Sequence, residues 1–562
     1  MKHHCVLILV GVAILDAGGS QSALAQAGGG NPLDTLPAVP SIEIRPGGVA
    51  SPLAAPPTTA QQVMDIRLTP ARFDIEGVLA LSFSEISSRF APLARREITV
   101  GQLVELARGV TQLYQDRGYA LSFCYVPTQD FKDGVVRIVV VEGYVGEVRI
   151  EGDAGNAEAK IREIAARIQA DKPLHRATFE RYVGLLGQLP GLRVQASALP
   201  PNRTDGATVL TLKVARRPVT VSAGLDTQQS KPRLLLTGSL NDVISSGSQL
   251  SASVIAPSSQ GETFGSAQFT QFIGSNGLSA KIDASHYRGD PNAQLEVNSS
   301  TQRRVSNDRI ELSASYPLVL SNTMSLVVSG GAYAVNYSDD YSNPANGAAL
   351  AYDTRVRAIF GQLSYTLSKP DTVRRLSVLL AHGINGWGAQ ATAQTNVAGL
   401  VTANPANVGF SKVLLQASQL NQWPNGFGSV ISLLGQYSPH ILPTTERISF
   451  GGLRMARGYA PGEASGDSGW GLGMEINRSF AADMAYLKQV QPYLLLELAR
   501  VYNQSGVFTP SKLKSVAIGT RLSDQKFFTV DISAAKPLGD QPLENAERHP
   551  RFQATLNYRL AP

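Results

Sequence analysis

The last 345 residues of the chain, 218–562, alternate between apolar and polar side chains, which restricts them to β-strands with two different faces. Every second residue of 278–285 is apolar, and 552–560 repeats the pattern. Successive side chains of a strand point to opposite faces, so one face could meet lipid while the other meets water. No stretch after the first 25 residues reaches the ~20 apolar residues of a transmembrane helix. At about 10 residues per crossing plus loops, this region predicts a membrane all-β fold, a transmembrane β-barrel of about 16 strands.

A soluble sandwich of two sheets would show similar alternation, and the period alone leaves that alternative open. Two features favour the barrel. The polar face carries charges such as Lys281, Asp283 and Arg559, which a water-filled lumen permits. The apolar face contains many small residues, which would fill the dry core of a sandwich poorly.

The composition narrows the class of protein further. Lys and Arg number 50 against 44 Asp and Glu, and a net charge of +6 over 562 residues argues against a nucleic-acid partner. The mean hydropathy is near zero, as alternating strands give on average. Only Cys5 and Cys124 are present, and Cys5 falls in a predicted signal segment, so no disulfide within the mature chain is expected.

The amino-terminal residues are typical of an exported protein. Residues 1–25 combine a basic start, an apolar core over 6–15 and a small-residue cleavage pattern at 23–25, which predicts a secretory signal peptide. Residues 26–65 are rich in Pro and Gly and have almost no apolar periodicity. Such a segment cannot bury enough surface to offset its ordering entropy, and we predict a linker.

Residues 66–217 repeat the order strand, helix, helix, strand, strand. In the first unit a helix face recurs at spacings of three and four, beginning with Leu103 and Leu106. Thr99 and Gln102 form a capping box before that helix, and Gly118 stands at its carboxyl end. We therefore predict two α+β domains, residues 66–145 and 146–217.

Two motifs give these regions a family resemblance. Residues 450–459 read Phe-Gly-Gly-Leu-Arg-Met-Ala-Arg-Gly-Tyr, and Gly466-Asp-Ser-Gly469 follows. Residues 445–477 resemble the conserved loop of TpsB transporters, the ShlB/FhaC/HecB family of two-partner secretion, which shares a superfamily with BamA-type assembly factors. The resemblance implies two POTRA domains before a 16-stranded barrel, with a loop at about 450–470 folded into the pore.

The second motif lies in the first α+β unit and resembles the first POTRA domain of TpsB transporters. It comprises the runs 114–119, 126–129, 133–134 and 141–143. The candidate motif residues are Arg117, Gly118, Tyr119, Pro127, Gln129, Gly134, Glu142 and Gly143. Locally, Gly118 also fits an ordinary helix C-cap that leads into a strand.

The sequence offers no convincing catalytic, metal or cofactor site. No two histidines of the mature chain have helical ligand spacing. Gly466-Asp-Ser-Gly469 resembles the setting of a nucleophilic serine, but no His and Asp context supports it. No Lys-Ser/Thr follows Gly330-Gly331 or Gly451-Gly452 as a phosphate loop requires. We expect a protein that is not an enzyme.

The functional residues predicted in the loop are Arg457, Gly458 and Tyr459. A guanidinium is always charged, so its burial in a barrel requires a carboxylate or water. The resemblance implies an Arg pairing with an acid of a Phe-x-Asp pattern on the barrel wall, and the matching residues here are Leu495 and Glu497. We predict an Arg457–Glu497 pair that anchors the loop. Gly458 is expected to adopt a backbone conformation closed to other residues, and Tyr459 to hold the tip by stacking and hydrogen bonding.

The resemblance implies an outer-membrane pore of a Gram-negative bacterium that secretes a partner exoprotein of adhesin, haemolysin or toxin type. The POTRA domains would lie in the periplasm and bind this TpsA-like partner, outer-membrane lipid would surround the barrel, and the 450–470 loop would gate the pore of a single chain. A BamA-like insertase is the alternative, with a passive porin behind it. Nothing in the sequence identifies the partner.

Overall fold

The computed structural model describes residues 31, 33 and 36 and residues 64–560. The gaps within that stretch are 132, 229–231, 257–260, 291–300, 399–402, 507–509 and 544–546. The predicted signal peptide and most of the predicted linker lie outside the described residues. No helix among the described residues has the length and apolar character needed to span a membrane.

The first α+β unit is a three-stranded sheet covered by helices. Its elements are β1 Arg67–Leu68, β2 Arg72–Glu76, α1 Phe83–Phe90, β3 Ile98–Thr99, α2 Val100–Asp116, β4 Phe123–Tyr125 and β5 Val135–Val141. The sheet order is β2-β5-β4, and β2 runs parallel to β5. The predicted capping box starts α2, because the Thr99 side chain accepts from the Gln102 amide while the Gln102 side chain accepts from the Thr99 amide.

The second α+β unit repeats this architecture. Its elements are β6 Tyr144–Gly152, α3 Glu158–Gln169, α4 Arg176–Gln188, β7 Leu192–Ala198 and β8 Ala207–Arg216, with the sheet order β6-β8-β7. Tyr144 already pairs with Ala207 of this sheet. The second unit therefore begins two residues before the predicted boundary, because Gly143 follows the last strand of the first sheet.

The remaining strands form one closed barrel and, between two of its strands, a short hairpin. The barrel strands before the hairpin are β9 Val219–Asp226, β10 Arg233–Asn241, β11 Ser248–Ile255, β12 Thr263–Ile273, β13 Leu278–Gly289, β14 Gln302–Leu320, β15 Met324–Ser342, β16 Ala349–Ser368, β17 Thr372–Gly383, β18 Gln390–Thr395, β19 Ser411–Gln422 and β20 Phe427–Tyr437. The hairpin consists of β21 Ile448–Phe450 and β22 Ala464–Gly466. The barrel continues with β23 Ser468–Arg478, β24 Phe480–Ala481, β25 Gln489–Tyr502, β26 Lys512–Ser523, β27 Phe528–Pro537 and β28 Arg551–Arg559.

The number of barrel strands agrees with the prediction. β17 and β18 both pair with β16, and β23 and β24 both pair with β25, so each couple is one interrupted strand. The barrel thus has the predicted 16 strands, and β28 closes it against β9.

The two faces of the strands differ as the alternation predicts. On β25, Leu494 and Leu496 are exposed on the outer face, whereas Tyr493 is buried inside. Exposed aromatic residues mark both ends of the outer face, for example Phe427 and Tyr437 on β20. Ten residues separate this pair, which corresponds to about 26 Å along the barrel axis at ~3.4 Å per residue and a tilt of ~40°. That height fits the apolar band of an outer-membrane barrel.

The second α+β unit is docked on one end of the barrel, which fixes the orientation of the molecule. The Arg181 guanidinium of α4 donates to the backbone oxygens of Asn276, Pro317 and Leu318, which lie at or near the turns of β12–β13 and β14–β15. Leu320 of β14 is also part of this unit's hydrophobic core. The long connection between β20 and β23 therefore starts at the opposite end of the barrel.

Candidate functional site: the inner loop and its barrel wall

The connection between β20 and β23, residues 438–467, folds back into the barrel, and we refer to it as the inner loop. It contains the hairpin of β21 and β22. Its apolar side chains share one buried cluster with the inner faces of β20, β25 and β26. The cluster consists of Leu434, Ile448, Phe450, Met455, Ala456, Tyr459, Ala464, Ala499, Val501 and Leu513. Burial of this surface holds the inner loop inside the barrel.

A row of glycines on β23 makes room for the inner loop. Gly469, Gly471 and Gly473 occupy successive inward positions of that strand. A Cβ atom on Gly471 would lie 2.7 Å from a ring carbon of Phe450 and 2.9 Å from Cγ of Met455. Any side chain at this position would therefore push the loop away. The alternation Gly-Trp-Gly-Leu-Gly over 469–473 is the sequence signal that corresponds to this packing, and it was missed as a prediction.

Arg457 is fixed to the wall through both its backbone and its guanidinium. Its backbone amide donates to Oε2 of Glu497 at 2.7 Å, and the Ser515 hydroxyl donates to the same oxygen at 2.8 Å. The guanidinium Nη1 donates to the Tyr493 hydroxyl at 2.7 Å and lies 3.8 Å from Oδ2 of Asp531. The Glu497 carboxylate contacts the loop as predicted, but its partner is the backbone amide of Arg457 and not the guanidinium. The ion pair predicted between the two side chains is replaced by a pair with Asp531 on β27.

The geometry of the wall explains this change of partner. Tyr493 lies on the same inner face of β25 as Glu497, and its hydroxyl donates to Oδ1 of Asp531 at 2.6 Å. The same hydroxyl accepts from Arg457, so it links the guanidinium to Asp531. Asp531 is on a different strand from Glu497, and no local sequence pattern connects the two. Only the pairing of β25, β26 and β27 places both acids on one wall.

A second arginine completes the polar network. Arg521 on β26 makes a bidentate contact with Glu475, at 2.7 and 2.6 Å, and its Nε lies 3.3 Å from Oδ2 of Asp531. Bidentate arginine–carboxylate pairs are among the stronger hydrogen-bonded contacts of proteins. Together with Arg457, two guanidinium groups meet three carboxylates on this wall. We call the following residues the anchor network: Arg457, Glu475, Tyr493, Glu497, Ser515, Arg521 and Asp531.

Gly458 is required for a reason other than the predicted one. Its φ is not positive, whereas Ala456 two positions earlier has a φ of +69°. A Cβ on Gly458 would lie 2.6 Å from the backbone nitrogen of Pro537 and 2.8 Å from the carbonyl carbon of Lys536. The prediction of an unusual backbone conformation at Gly458 is therefore wrong. Glycine is needed there because the loop tip touches the backbone of β27.

Tyr459 holds the tip at its other side. The side chain is fully buried, and its hydroxyl donates to the backbone oxygen of Asp540 at 2.8 Å and accepts from the Gly539 amide at 3.0 Å. Among the ring pairs of the described residues, none includes Tyr459. Hydrogen bonds rather than ring stacking therefore fix this residue.

The inner loop also contacts the opposite side of the barrel. Oε2 of Glu446 accepts from the Tyr333 hydroxyl of β15 at 2.9 Å and pairs with Nζ of Lys412 on β19 at 2.8 Å. On the other side, Gln553 of β28 donates to the backbone oxygen of Arg457 at 2.6 Å. The loop is thus bound to strands on both sides and crosses the interior of the barrel.

A short part of the predicted linker also lies against the inner loop. Nδ2 of Asn31 donates to the backbone oxygen of Thr445 at 3.4 Å, and Asn307 of β14 donates to Oδ1 of Asn31 at 3.3 Å. Leu33 and Leu36 pack against a buried cluster on the inner wall. These contacts were missed, because a segment without apolar periodicity gives no sign of where it will bind.

The predicted POTRA motif is built around the half-buried carboxylate of Glu142. Its Oε1 accepts from the Leu79 and Ala80 amides at 2.9 and 2.8 Å. The same oxygen accepts from the Tyr114 hydroxyl at 2.7 Å. Glu142 therefore ties the segment before α1 and the end of α2 to the end of β5.

Gln129 of the motif extends the sheet of the first unit. Its side-chain amide accepts from the backbone nitrogen of Arg137 at 2.7 Å and donates to the backbone oxygen of the same residue at 2.9 Å. The Gln129 side chain thereby takes the place of a strand beside β5, beyond the end of β4. Pro127 of the motif lies between the end of β4 and Gln129. These contacts hold the first unit together.

The two glycines at 118 and 143 form the joint between the α+β units. Gly118 caps α2 at a φ of +90°, and its oxygen accepts from the Arg176 amide at 2.7 Å. The oxygen of Gly143 accepts from the Leu174 amide at 2.9 Å. Both bonds join the backbone of the first unit to the segment that leads into α4.

The remaining motif residues divide between the joint and the surface. Tyr119 forms a β-bridge with His175 and packs on its ring at a centroid distance of 4.8 Å, so it belongs to the joint. Arg117 instead pairs with Glu85 at 2.9 Å, and Gly134 makes a turn at a φ of +63°. The structure therefore brings together only part of the predicted motif.

Cys124 and Asp171, which lie near the motif, have shifted pKa values. Burial raises the pKa of the Cys124 thiol to about 12, so this cysteine stays protonated. Burial also acts on Asp171, but hydrogen bonds from Thr178 and His175 hold the pKa of that carboxyl below its ordinary value. No group of three or more His, Cys, Asp or Glu in the described part of the chain is arranged to hold a metal ion.

A closed 16-stranded barrel with an inner loop and two preceding α+β units defines a POTRA–barrel protein of the outer membrane. Two family models match the chain, "POTRA domain, ShlB-type" over residues 68–143 and "Haemolysin secretion/activation protein ShlB/FhaC/HecB" over residues 239–522. The chain belongs to this ShlB/FhaC/HecB family, and the predicted membership is confirmed.

Relatives and solved structures agree with this membership. The chain is 22% identical over 505 residues to the heme/hemopexin transporter protein HuxB of Haemophilus influenzae, covering 81% of this chain and 80% of HuxB. The structure of CdiB from Escherichia coli has the same fold, with a TM-score of 0.68, 20% identity and coverage of 91% of this chain and 94% of CdiB. BamA from Haemophilus ducreyi lacking POTRA domains 1–3 matches with a TM-score of 0.52 and 14% identity, over 88% of this chain and 100% of that one.

The chain is therefore a TpsB transporter of the outer membrane and a pore of two-partner secretion, as predicted. The insertase alternative is less supported, because the family model and the relatives describe secretion transporters. Members of this family are secretion channels and not a known class of enzymes, and they work with secreted partner proteins.

Proposed function

We propose that the inner loop is the gate of the secretion pore and that the anchor network holds the gate closed. The observation that carries this proposal is the double attachment of Arg457, through its amide to Glu497 and through its guanidinium to Tyr493 and Asp531. Because the loop crosses the interior of the barrel, a protein chain in transit has to displace it.

The energetics of the anchor suit a gate that opens only when a partner is present. Hydrogen bonds to charged groups contribute roughly 1.5–3 kcal/mol each, and removing one member of a buried ion pair costs about 3–5 kcal/mol. The closed state is thus stable at rest, and opening requires compensation from contacts with the secreted chain. The contacts of Arg457 with the wall can be lost together, because they involve only a few side chains on β25, β26 and β27.

Charge exchange across the anchor tests the proposal. Arg457→Glu places an acid among carboxylates, and Asp531→Arg adds a third guanidinium group beside Arg457 and Arg521. Each single variant should raise the resting conductance in planar bilayers and impair secretion, whereas the double variant should recover part of both. Arg355→Ala, which changes an exposed arginine on the outer face of β16, is the matched control. Normal conductance and secretion by Arg457→Glu would contradict the proposal.

We further infer that the secreted partner adds a strand to the second POTRA sheet, at the edge formed by β7. Within the described residues no strand pairs with the outer side of β7. Arg193, Gln195 and Ser197 are exposed along β7, and Gly191 just before it lies against Asn241 at the POTRA end of β10. A chain bound by backbone hydrogen bonds along this edge would be led to the mouth of the barrel.

Secretion in cells identifies the partner. Deleting the transporter and comparing culture supernatants by mass spectrometry should reveal one missing exoprotein, which expression of the intact chain should restore. Supernatants that do not differ would contradict the role in secretion.

Site-specific crosslinking in the same cells tests the edge. A photo-crosslinking residue in place of Gln195 on β7 should capture the partner while it is being secreted. The same residue in place of Arg162, which is exposed on α3 and away from the edge, is the matched control. Equal capture at the two positions, or none at Gln195 in a transporter that still secretes, would argue against this edge.

We also propose the domain roles that follow from this arrangement. Residues 1–25 direct export, residues 66–143 and 144–217 are the two periplasmic POTRA domains, and residues 218–562 form the pore. A single chain suffices, since its own strands β9 and β28 close the barrel. Crosslinking in native membranes should then detect the transporter as a monomer.

A further inference from the structure

Four basic side chains cluster on the outer face of the barrel at its extracellular end. They are Arg500 on β25, Lys512 and Lys514 on β26, and Lys536 on β27, and all four are exposed. The residues between them, such as Ala499, Leu513 and Ala535, are buried on the inner face. The strand period therefore turns these charges toward the membrane.

The pairing of the strands brings the charges together. Arg500 is directly opposite Lys512. Lys536 is directly opposite Val516, so Lys514, two residues before Val516 on the same face of β26, is its diagonal neighbour. Side chains directly opposite each other in a sheet have Cβ atoms about 5 Å apart, and like charges in that position repel. The sheet alone thus disfavours this arrangement.

The position of the cluster along the barrel axis adds a further energetic cost in a membrane that supplies no anion. Trp470 lies opposite Arg500 on β23, and Trp470 and Tyr502 are exposed aromatic residues at the extracellular end of the outer face. Lys514 lies two residues closer to the membrane centre than Lys512, about 5 Å along the barrel axis. Lys and Arg on the lipid face destabilise a barrel more as they lie deeper.

Acidic side chains balance only part of the charge of the cluster. Within the described part of the chain, none of the four residues forms an ion pair with an Asp or Glu. The carboxylate of Asp540 accepts from the backbone amides of Ser511 and Lys512 at 2.9 Å each and also interacts electrostatically with the Lys512 side chain, which leaves the other three basic residues without an acid among the described residues. The guanidinium of Arg500 lies over the ring of Tyr502, at 4.8 Å. The cluster is therefore complementary to an anion supplied from outside the protein.

We propose that the outer face of β25, β26 and β27 binds a phosphate-bearing glycolipid of the outer leaflet, with its phosphates held by the four basic residues Arg500, Lys512, Lys514 and Lys536. Lysine and arginine are the natural partners of phosphate, and the cluster lies at the level of the outer-leaflet headgroups. The acyl chains would cover the exposed apolar residues below, such as Ile518.

The proposed lipid site and the anchor network share the same three strands. Glu497, Ser515 and Asp531 project inward from them, and the loop tip at Gly458 touches the backbone of Lys536. A lipid on the outside would thus stiffen the wall to which the inner loop is bound. The lipid site itself does not depend on the loop being a gate.

Binding by the full-length transporter in detergent tests the proposal. The protein is titrated with lipid A carrying two phosphates, with dephosphorylated lipid A and with inorganic pyrophosphate, and bound ligand is read by native mass spectrometry. Only the phosphorylated lipid should be retained. The variant Arg500→Gln/Lys512→Gln/Lys514→Gln/Lys536→Gln should bind it about a thousandfold more weakly, because each basic residue near an anionic lipid surface contributes about a factor of five to the affinity.

A control at the opposite end of the barrel has a similar change in charge. Arg374→Gln/Lys488→Gln/Lys526→Gln removes exposed basic residues near the POTRA end of the strands and should leave lipid binding unchanged. Heat-modified mobility in gels checks that each variant is folded, and Lys514→Gln/Lys536→Gln replaces the fourfold variant if that one does not fold. Equal binding by cluster and control variants would overturn the proposal, as would equal retention of dephosphorylated lipid or of pyrophosphate.

Discussion

The triplet Arg-Gly-Tyr occurs twice in this chain, at 117–119 and at 457–459, and the two copies have different structural roles. In the first copy Gly118 has a φ of +90° and ends a helix, and the side chain of Arg117 is 55% exposed. In the second copy the glycine lacks that conformation, and the side chain of Arg457 is 12% exposed. The same three residues therefore form a joint on the surface in one place and an anchor inside a barrel in the other.

The comparison shows what burial adds to an unchanged sequence. A surface ion pair such as Arg117–Glu85 is screened by water and contributes little. A guanidinium inside the barrel requires partners, and removing Arg457 takes one of two nearby guanidinium groups away from Asp531. Substitutions at matching positions of the two triplets should therefore have unequal effects.

The largest difference is expected for the arginines. Arg457→Ala should destabilise the closed loop by about 3 kcal/mol, because the loop loses a hydrogen bond to Tyr493 and a charged contact with Asp531, which keeps Arg521 as a partner. Arg117→Ala should change the stability of the POTRA region by less than about 1 kcal/mol. Urea unfolding and resting channel conductance measure the two effects. Equal losses in both variants would contradict the distinction.

The glycines should differ in the kind of damage. Gly458→Ala puts a Cβ against the backbone of β27, and the displaced loop tip should cost about 1–3 kcal/mol and leave the pore partly open. Gly118→Ala meets no neighbouring atom but strains a positive φ, which costs about 1–2 kcal/mol without affecting conductance. Conductance separates the two outcomes, and an open pore in Gly118→Ala would be unexpected.

The tyrosines should differ by their hydroxyl groups. Tyr459→Phe removes hydrogen bonds to Asp540 and Gly539 and should destabilise the loop by about 1–2 kcal/mol. No hydrogen bond of the Tyr119 hydroxyl is present in the described part of the chain, so Tyr119→Phe should be close to neutral. Thermal unfolding in detergent compares them, and a larger loss for Tyr119→Phe would reverse our ranking.

The smallest effect is a pH dependence of the POTRA joint. Despite burial, hydrogen bonds from Thr178 and His175 hold the pKa of Asp171 below its ordinary value. A depressed pKa in the folded state stabilises the joint above the unfolded value of about 3.9, and this contribution disappears as the pH falls through the folded pKa. Relative to its intrinsic rate, hydrogen exchange of residues 171–176 should therefore accelerate below about pH 4, and Asp171→Asn should remove the dependence.

Much of the fold could be predicted from local patterns. Alternation indicated the barrel, its strand number and the inward direction of Glu497, and helical spacing with the Thr99 capping box indicated the α+β units. The side-chain partner of Arg457 could not be predicted, because Asp531 lies on a different strand. The contact of Asn31 with the inner loop was missed for a similar reason: that segment has no period to show which surface it meets.

The order of amino acids was enough to predict the secondary structure, the two-faced strands and the family, because these depend on period, capping and short motifs along the chain. The folded molecule was needed to establish how the loop is anchored, why Gly458 must be glycine and where the outer basic cluster forms. Those features depend on distances across strands that are far apart in sequence. Barrel closure and register set such distances, and no local pattern encodes them.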